Sequence, residues 1–102
     1  MATTIETRAV VVRSHKAGVY MGYLAGESDF PGFIRLRARH MWRWEQALGT
    51  CGLAIKGPGP GTSSPGWVEI DIATDDICAL ITATPEAMAA LEGLEVSNEE
   101  AR

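Results

Sequence analysis

A chain of 102 residues with 46% hydrophobic and 22% charged side chains has the composition of one globular domain, which excludes wholesale disorder. Its net charge of −4 argues against a protein that coats nucleic acid by bulk charge. No apolar run reaches the ~20 residues that span a bilayer, and Met1-Ala2-Thr3-Thr4-Ile5-Glu6 lacks the basic and apolar regions of a signal peptide, so a cytoplasmic protein is expected.

The charge is split along the chain. Residues 1–56 hold eight Lys or Arg against four acids (Glu6, Glu27, Asp29, Glu45), and residues 57–102 hold one basic residue against nine acids. Such asymmetry predicts a basic surface on an acidic body, and head-to-tail contact between subunits of a homo-oligomer. Solvated charge without a partner is the plainer alternative.

Residues 1–6 read as a flexible N-terminus. The run Ala9-Val10-Val11-Val12, within Thr7 to Arg13, is β-branched and reads as a buried strand. After a turn at Ser14 to Gly18, Val19 to Ala25 alternates, with Val19, Met21 and Tyr23 opposite Tyr20, Gly22 and Leu24. The two strands form a predicted hairpin. A second turn, Gly26 to Gly32, contains Pro31.

Phe33 to Trp44 has the clearest period of two. Ile34, Leu36, Ala38, His40, Trp42 and Trp44 share one parity; Phe33, Arg35, Arg37, Arg39, Met41 and Arg43 share the other. A continuous strand presents an apolar inner face and an arginine-rich outer face. A bulge near Arg37 to Arg39 would exchange them. A short helix is predicted near Thr50 to Lys56, stopped by Gly57.

Gly57 to Gly66 is a loop rich in glycine and proline. Trp67 to Ile72 is a half-buried strand, with Trp67, Glu69 and Asp71 opposite Val68, Ile70 and Ile72. Ile77 to Ala83 is a further strand after the Thr74-Asp75-Asp76 turn. Thr84-Pro85-Glu86 opens a helix, since threonine caps, proline suits the first turn and glutamate complements the dipole. Gly93 ends it, and residues 97–102 read as a disordered polar tail. The expected fold is α+β. It is a single β-rich domain over residues 7–96, with a small antiparallel sheet or partly open barrel of about five to six strands, a short mid-chain helix and a C-terminal helix.

Alternate strand residues stand roughly 6.5 Å apart, close to the spacing of phosphates on an extended backbone. Arginine forks bind phosphate bidentately, and indole faces stack on bases or guanidinium groups. Arg35, Arg37, Arg39, Arg43, Trp42 and Trp44 are therefore the candidate ligand-binding residues, with Tyr20 and Tyr23 able to extend the platform. Core tryptophans and solvated arginines are the structural alternative. Four arginines within nine residues repel one another unless an acidic neighbour or an anionic ligand offsets them.

No residue set carries a catalytic or metal signature. The glycine loop lacks the lysine of a phosphate-binding loop, and Pro58 and Pro60 delete two amides. It reads as a connector or as a flap with Ser63 and Ser64 as donors. His15 and His40 lack metal spacing. Cys51 lacks a nucleophile motif, and the cysteines read as reduced thiols. Asp75-Asp76 reads as a turn, and Glu69 with Asp71 as solvated strand acids. A binding protein without enzyme activity, metal or cofactor is expected.

The stretch Arg37-Ala38-Arg39-His40-Met41-Trp42-Arg43-Trp44, followed by Gly52-Leu53-Ala54-Ile55-Lys56-Gly57, resembles a family of small, uncharacterised phage proteins. Those carry an Ala-Arg-basic-aliphatic-Trp-aromatic-Trp core and then a short helix ending Leu-Ala-x-x-Gly. They also open on an Arg-x-Val-Val-Val strand and an Ala-Gly-Val turn, as at Arg8 to Val12 and Ala17 to Val19. Their C-terminal half is similar to Ile77 to Glu92. Arg43 departs from the pattern, standing where an aromatic is common, as does the glycine–proline loop.

The resemblance implies a phage protein, cytoplasmic in a bacterial host. It is also similar to anti-defence sponges that sequester a nucleotide-derived immune signal, a cyclic oligonucleotide or a cyclic ADP-ribose isomer, without turnover. Arginines would hold phosphate and an aromatic would hold the base. The alternative is a structural or protein-interaction module of a phage that binds a host protein through its arginine face.

Overall fold

A computed structural model describes residues 8–42, 49–59 and 62–96. Five strands and two helices follow in chain order. They are β1 (Arg8–Ser14), β2 (Gly18–Glu27), β3 (Phe33–His40), α1 (Gly49–Lys56), β4 (Trp67–Ala73), a 3-10 turn (Thr74–Asp76), β5 (Ile77–Thr82) and α2 (Pro85–Glu92). The strands form one antiparallel sheet in the order β4-β3-β2-β1-β5. This is the expected α+β architecture, with five strands and both predicted helices.

Consecutive strands β4 and β5 form opposite edges of this sheet. In a flat sheet Ala73, beside the β2–β3 turn, and Ile77, beside the β1–β2 turn, would be on the order of 30 Å apart. The link between them spans at most about 14 Å. The sheet must therefore fold over on itself, and side-chain clamps hold it there. Thr74 N and Oγ1 donate to Gly32 O at 2.8 and 3.1 Å. On the other side Asp76 accepts from Ser14 Oγ at 2.6 Å and from Lys16 N at 3.2 Å, and His15 N donates to Asp76 O at 3.0 Å. The Ser14 hydroxyl, aided by the Lys16 amide and nearby charge, holds the Asp76 carboxyl below its ordinary range.

Each face of the sheet has its own core. The folded-over face encloses Val10, Val12, Tyr20, Leu36, Ala38 and Ile72, with Ile34, Ile70 and Ile77 at its margin. His40 stacks on Tyr20 there, ring centroids 4.6 Å apart, and burial lowers its pKa. The other face carries Val11, Met21 and Met41, covered by Leu53 and Ala54 of α1 and by Ala87, Met88 and Leu91 of α2. A period of two with both parities apolar in β1 follows from this double burial.

The predicted long strand Phe33 to Trp44 ends at His40. No bulge interrupts its pairing with β4, so Arg37 and Arg39 keep their parity. The register break lies instead in β2, between Leu24 and Glu27. Beyond His40, Met41 is buried on the helix side, and Trp42 N bonds to Ser63 O at 3.0 Å.

Thr84 joins the two helices. Its Oγ1 accepts from Ala87 N at 3.1 Å as the α2 cap and donates to Ile55 O at 2.7 Å, while its N donates to Ala54 O at 2.9 Å. We expect Thr84→Ala to lose about 1–2 kcal/mol in urea unfolding, with Thr84→Ser retaining most of it. An unchanged midpoint would show that the cap contributes nothing.

Candidate functional site

Antiparallel pairing sets Arg35 opposite Asp71, Arg37 opposite Glu69 and Arg39 opposite Trp67. The three arginines meet three different environments. Arg35 is held by carboxylates: Nε and Nη2 reach the two oxygens of Asp71 at 2.9 and 3.2 Å, and Nη2 reaches Asp29 at 3.3 Å. This bidentate pair keeps the guanidinium protonated and the Asp71 carboxyl below its ordinary range.

Arg39 is only 1% exposed. Nε donates to Ser64 Oγ at 3.2 Å, and Nη2 donates to Ser64 O at 3.4 Å and Glu95 O at 3.0 Å. Nη1 donates to Leu91 O at 3.1 Å and Leu94 O at 2.6 Å. All five N–H groups of the fork are thereby used. Three of the acceptors are carbonyls of the last turn of α2 and the residues after it, the negative end of the helix dipole. Desolvation lowers the Arg39 pKa. The sequence placed Arg39 on an exposed basic face, but α2 and the loop at Ser64 cover that end of the face.

Arg37 alone of the three is exposed with its donors unspent among the described residues. Its guanidinium carbon lies 4.9 Å from the ring centroid of Trp67, a cation–π distance. Trp67 in turn stacks on Tyr23, centroids 5.9 Å apart and planes 14° from parallel. Tyr23 Oη donates to Glu92 Oε2 on the last turn of α2, and that bond, with burial, raises the Tyr23 pKa.

Tyr23 also forms one wall of a groove of about 380 Å³, lined with Ala9, Ala83, Pro85, Met88 and Glu92. The floor is apolar and the rim carries one carboxylate. A second hollow of about 530 Å³ lies among His15, Lys16, Asp75 and Asp76, where Asp76 is already committed to the hairpin turn.

Of the six candidate residues from the sequence, four (Arg35, Arg37, Arg39 and Trp42) lie among the described residues, and the three arginines go to different partners. Arg35, Arg37 and Arg39 share a face and diverge in role, Trp42 is half-buried beyond the strand end, and Arg43 and Trp44 lie outside the described residues. The aromatic platform is built instead by Trp67 and Tyr23. The signal for Trp67 lay in the spacing of β4, where Trp67, Glu69 and Asp71 alternate in step with the three arginines. Among the described residues no three His, Cys, Asp or Glu side chains are grouped to hold a metal, and no helix is long and apolar enough to cross a membrane.

These features define a small α+β domain in which one antiparallel sheet is folded over a core and backed by two helices, with a cation–aromatic platform beside α2. The chain belongs to the family described as domain of unknown function (DUF6948), which matches residues 7–91. No curated protein and no solved structure matches it.

Proposed function

We propose that this protein binds a nucleotide-type anion on the Tyr23–Arg37–Trp67 platform and holds it without turnover. The observation that carries this reading is Arg37, an exposed guanidinium lying on an indole with its hydrogen-bonding edge unspent among the described residues. A base can stack beside the indole and a phosphate can take the arginine fork. The tyrosine and tryptophan rings, at 5.9 Å, are too close to sandwich a base, which needs about 7 Å. The base therefore lies along the platform and over the groove beside Met88, not between the rings.

The resemblance to small phage proteins gives this binding a purpose. The protein acts in the host cytoplasm as a sponge for a nucleotide-derived immune signal, a cyclic oligonucleotide or cyclic ADP-ribose isomer. Calorimetry against a panel of both ligand classes, followed by mass spectrometry of what denaturation releases, tests it. We expect stoichiometric binding and intact release. Arg37→Ala should weaken binding ~10- to 100-fold with little change in thermal stability, because the residue is exposed. Absence of heat with every ligand, or unchanged affinity in that variant, would reject the platform as the site.

A protein-interaction module is the second reading. Phe30, 58% exposed, and Phe33 form an edge-to-face pair at 6.0 Å on the β2–β3 turn, a type of apolar anchor enriched at interfaces. Capture of a host protein lost on Phe30→Ala, with no small-molecule binding, would favour it.

A further inference from the structure

The two edges of the sheet are unequal and complementary. Among the described residues neither the outer edge of β4 nor that of β5 is hydrogen-bonded to another segment. Natural sheets protect such edges with charge, proline or bulges. β5 reads Ile77-Cys78-Ala79-Leu80-Ile81-Thr82, with no charge and no proline, and Leu80 is 39% exposed. β4 has no bulge against β3, and Val68 is 45% exposed. Val68 shares the folded-over face with Leu36 and Ala38, and Leu80, opposite Val12, shares it too. Each edge thus leaves one large apolar side chain uncovered on the same face.

From these two edges, whose strands run in the same direction, we infer that the chain assembles with copies of itself head to tail, β4 of one subunit pairing parallel with β5 of the next. Charge selects this pairing. Joining β4 to a second β4 about a two-fold axis would set Glu69 against the second Asp71, or one of these acids against its own copy, and like charges directly opposite are destabilising. Joining β5 to β5 carries no such cost but leaves Val68 and the whole β4 edge open. In the head-to-tail pairing the carboxylate-bearing strand meets a neutral one. The next strand inward, β1, carries the exposed Arg13 on the same helix-side face as Glu69. Val68 and Leu80 are covered together. Because the two surfaces differ, the contact is heterologous and repeats until it closes into a ring. β4 also carries Trp67, so the neighbour's β5 borders the platform.

Native mass spectrometry of the full chain tests this with two edge variants, Val68→Lys and Leu80→Lys. The wild-type chain should form one closed oligomer, and each variant alone should be monomeric. Mixed in equal amounts, the two variants should recover a heterodimer, because one intact β4 then meets one intact β5. Circular dichroism melting checks that each variant folds. Leu80→Thr and Val68→Thr, which put a β-branched polar side chain at the edge, replace any lysine variant that does not. A wild-type chain that stays monomeric at high micromolar concentration overturns the inference. So does assembly that survives either single variant, or a mixture that stays monomeric.

Discussion

Arg39→Ala should cost about 4 kcal/mol of stability, the scale of breaking a buried ionic network. That is a large part of the 5–15 kcal/mol typical of a domain, and it lowers Tm by ~20 °C for a chain of this size. The substitution removes five hydrogen bonds at once, takes the guanidinium donor from the carbonyls of Leu91, Leu94 and Glu95, and opens a cavity under α2. No carboxylate neutralises this guanidinium among the described residues; the helix end and five oxygen acceptors do. Lysine keeps the charge but has three donors on a flexible stem, so Arg39→Lys should recover only about half of the loss. Urea unfolding followed by circular dichroism measures both. A variant that keeps the wild-type midpoint while losing ligand binding would return Arg39 to the role its place in the sequence suggests.

The second large effect is expected at Gly22. A Cβ there would stand 2.4 Å from Arg37 O, 2.5 Å from Ala38 Cα and 2.7 Å from Ala38 Cβ. Two of these three are backbone atoms of the paired strand, so no side-chain rotation relieves them. Gly22 lies on the folded-over face, where the bend presses β2 against β3, and glycine marks such corners. Gly22→Ala should lose about 3 kcal/mol or more, the upper range for overpacking. Combining it with Ala38→Gly removes only one of the three contacts, so rescue should be partial. Full stability in Gly22→Ala would mean that the two strands separate freely at this point.

Much of the fold was legible because it is locally encoded. Thr84-Pro85-Glu86 announces α2 in three residues, and Gly57, with φ of +84°, closes α1 as the sequence suggested. The alternation in β3 assigned Leu36 and Ala38 to a core and Arg35, Arg37 and Arg39 to the other face. The site was less legible because arginine chemistry is decided by distant partners. Asp71 reaches Arg35 from 36 residues away, and the helix-end carbonyls on Arg39 come from more than 50. Period-two spacing locates a side chain on a face but does not say what covers that face. The acids of β4 at matching intervals were the available hint, because antiparallel pairing sets Arg35 against Asp71 and Arg37 against Glu69. With the Arg35–Asp71 pair made, the repulsion within the arginine row needs no ligand to offset it at Arg35.

The clamp on Arg39 also sets an order of events during synthesis. Its helix-end acceptors lie 52, 55 and 56 residues further along the chain, and β1 receives its second partner only when β5 has emerged. A nascent chain that ends after β4 has four strands, but its first strand has one open side and its Arg39 has no helix end to receive it. Such non-local closure slows folding, and exposed strand edges invite aggregation while it is pending. Emergence of β5 and the end of α2 is thus the step that commits the domain, and chains truncated before Leu91 should fall to chaperones or proteases instead of accumulating as partly folded protein.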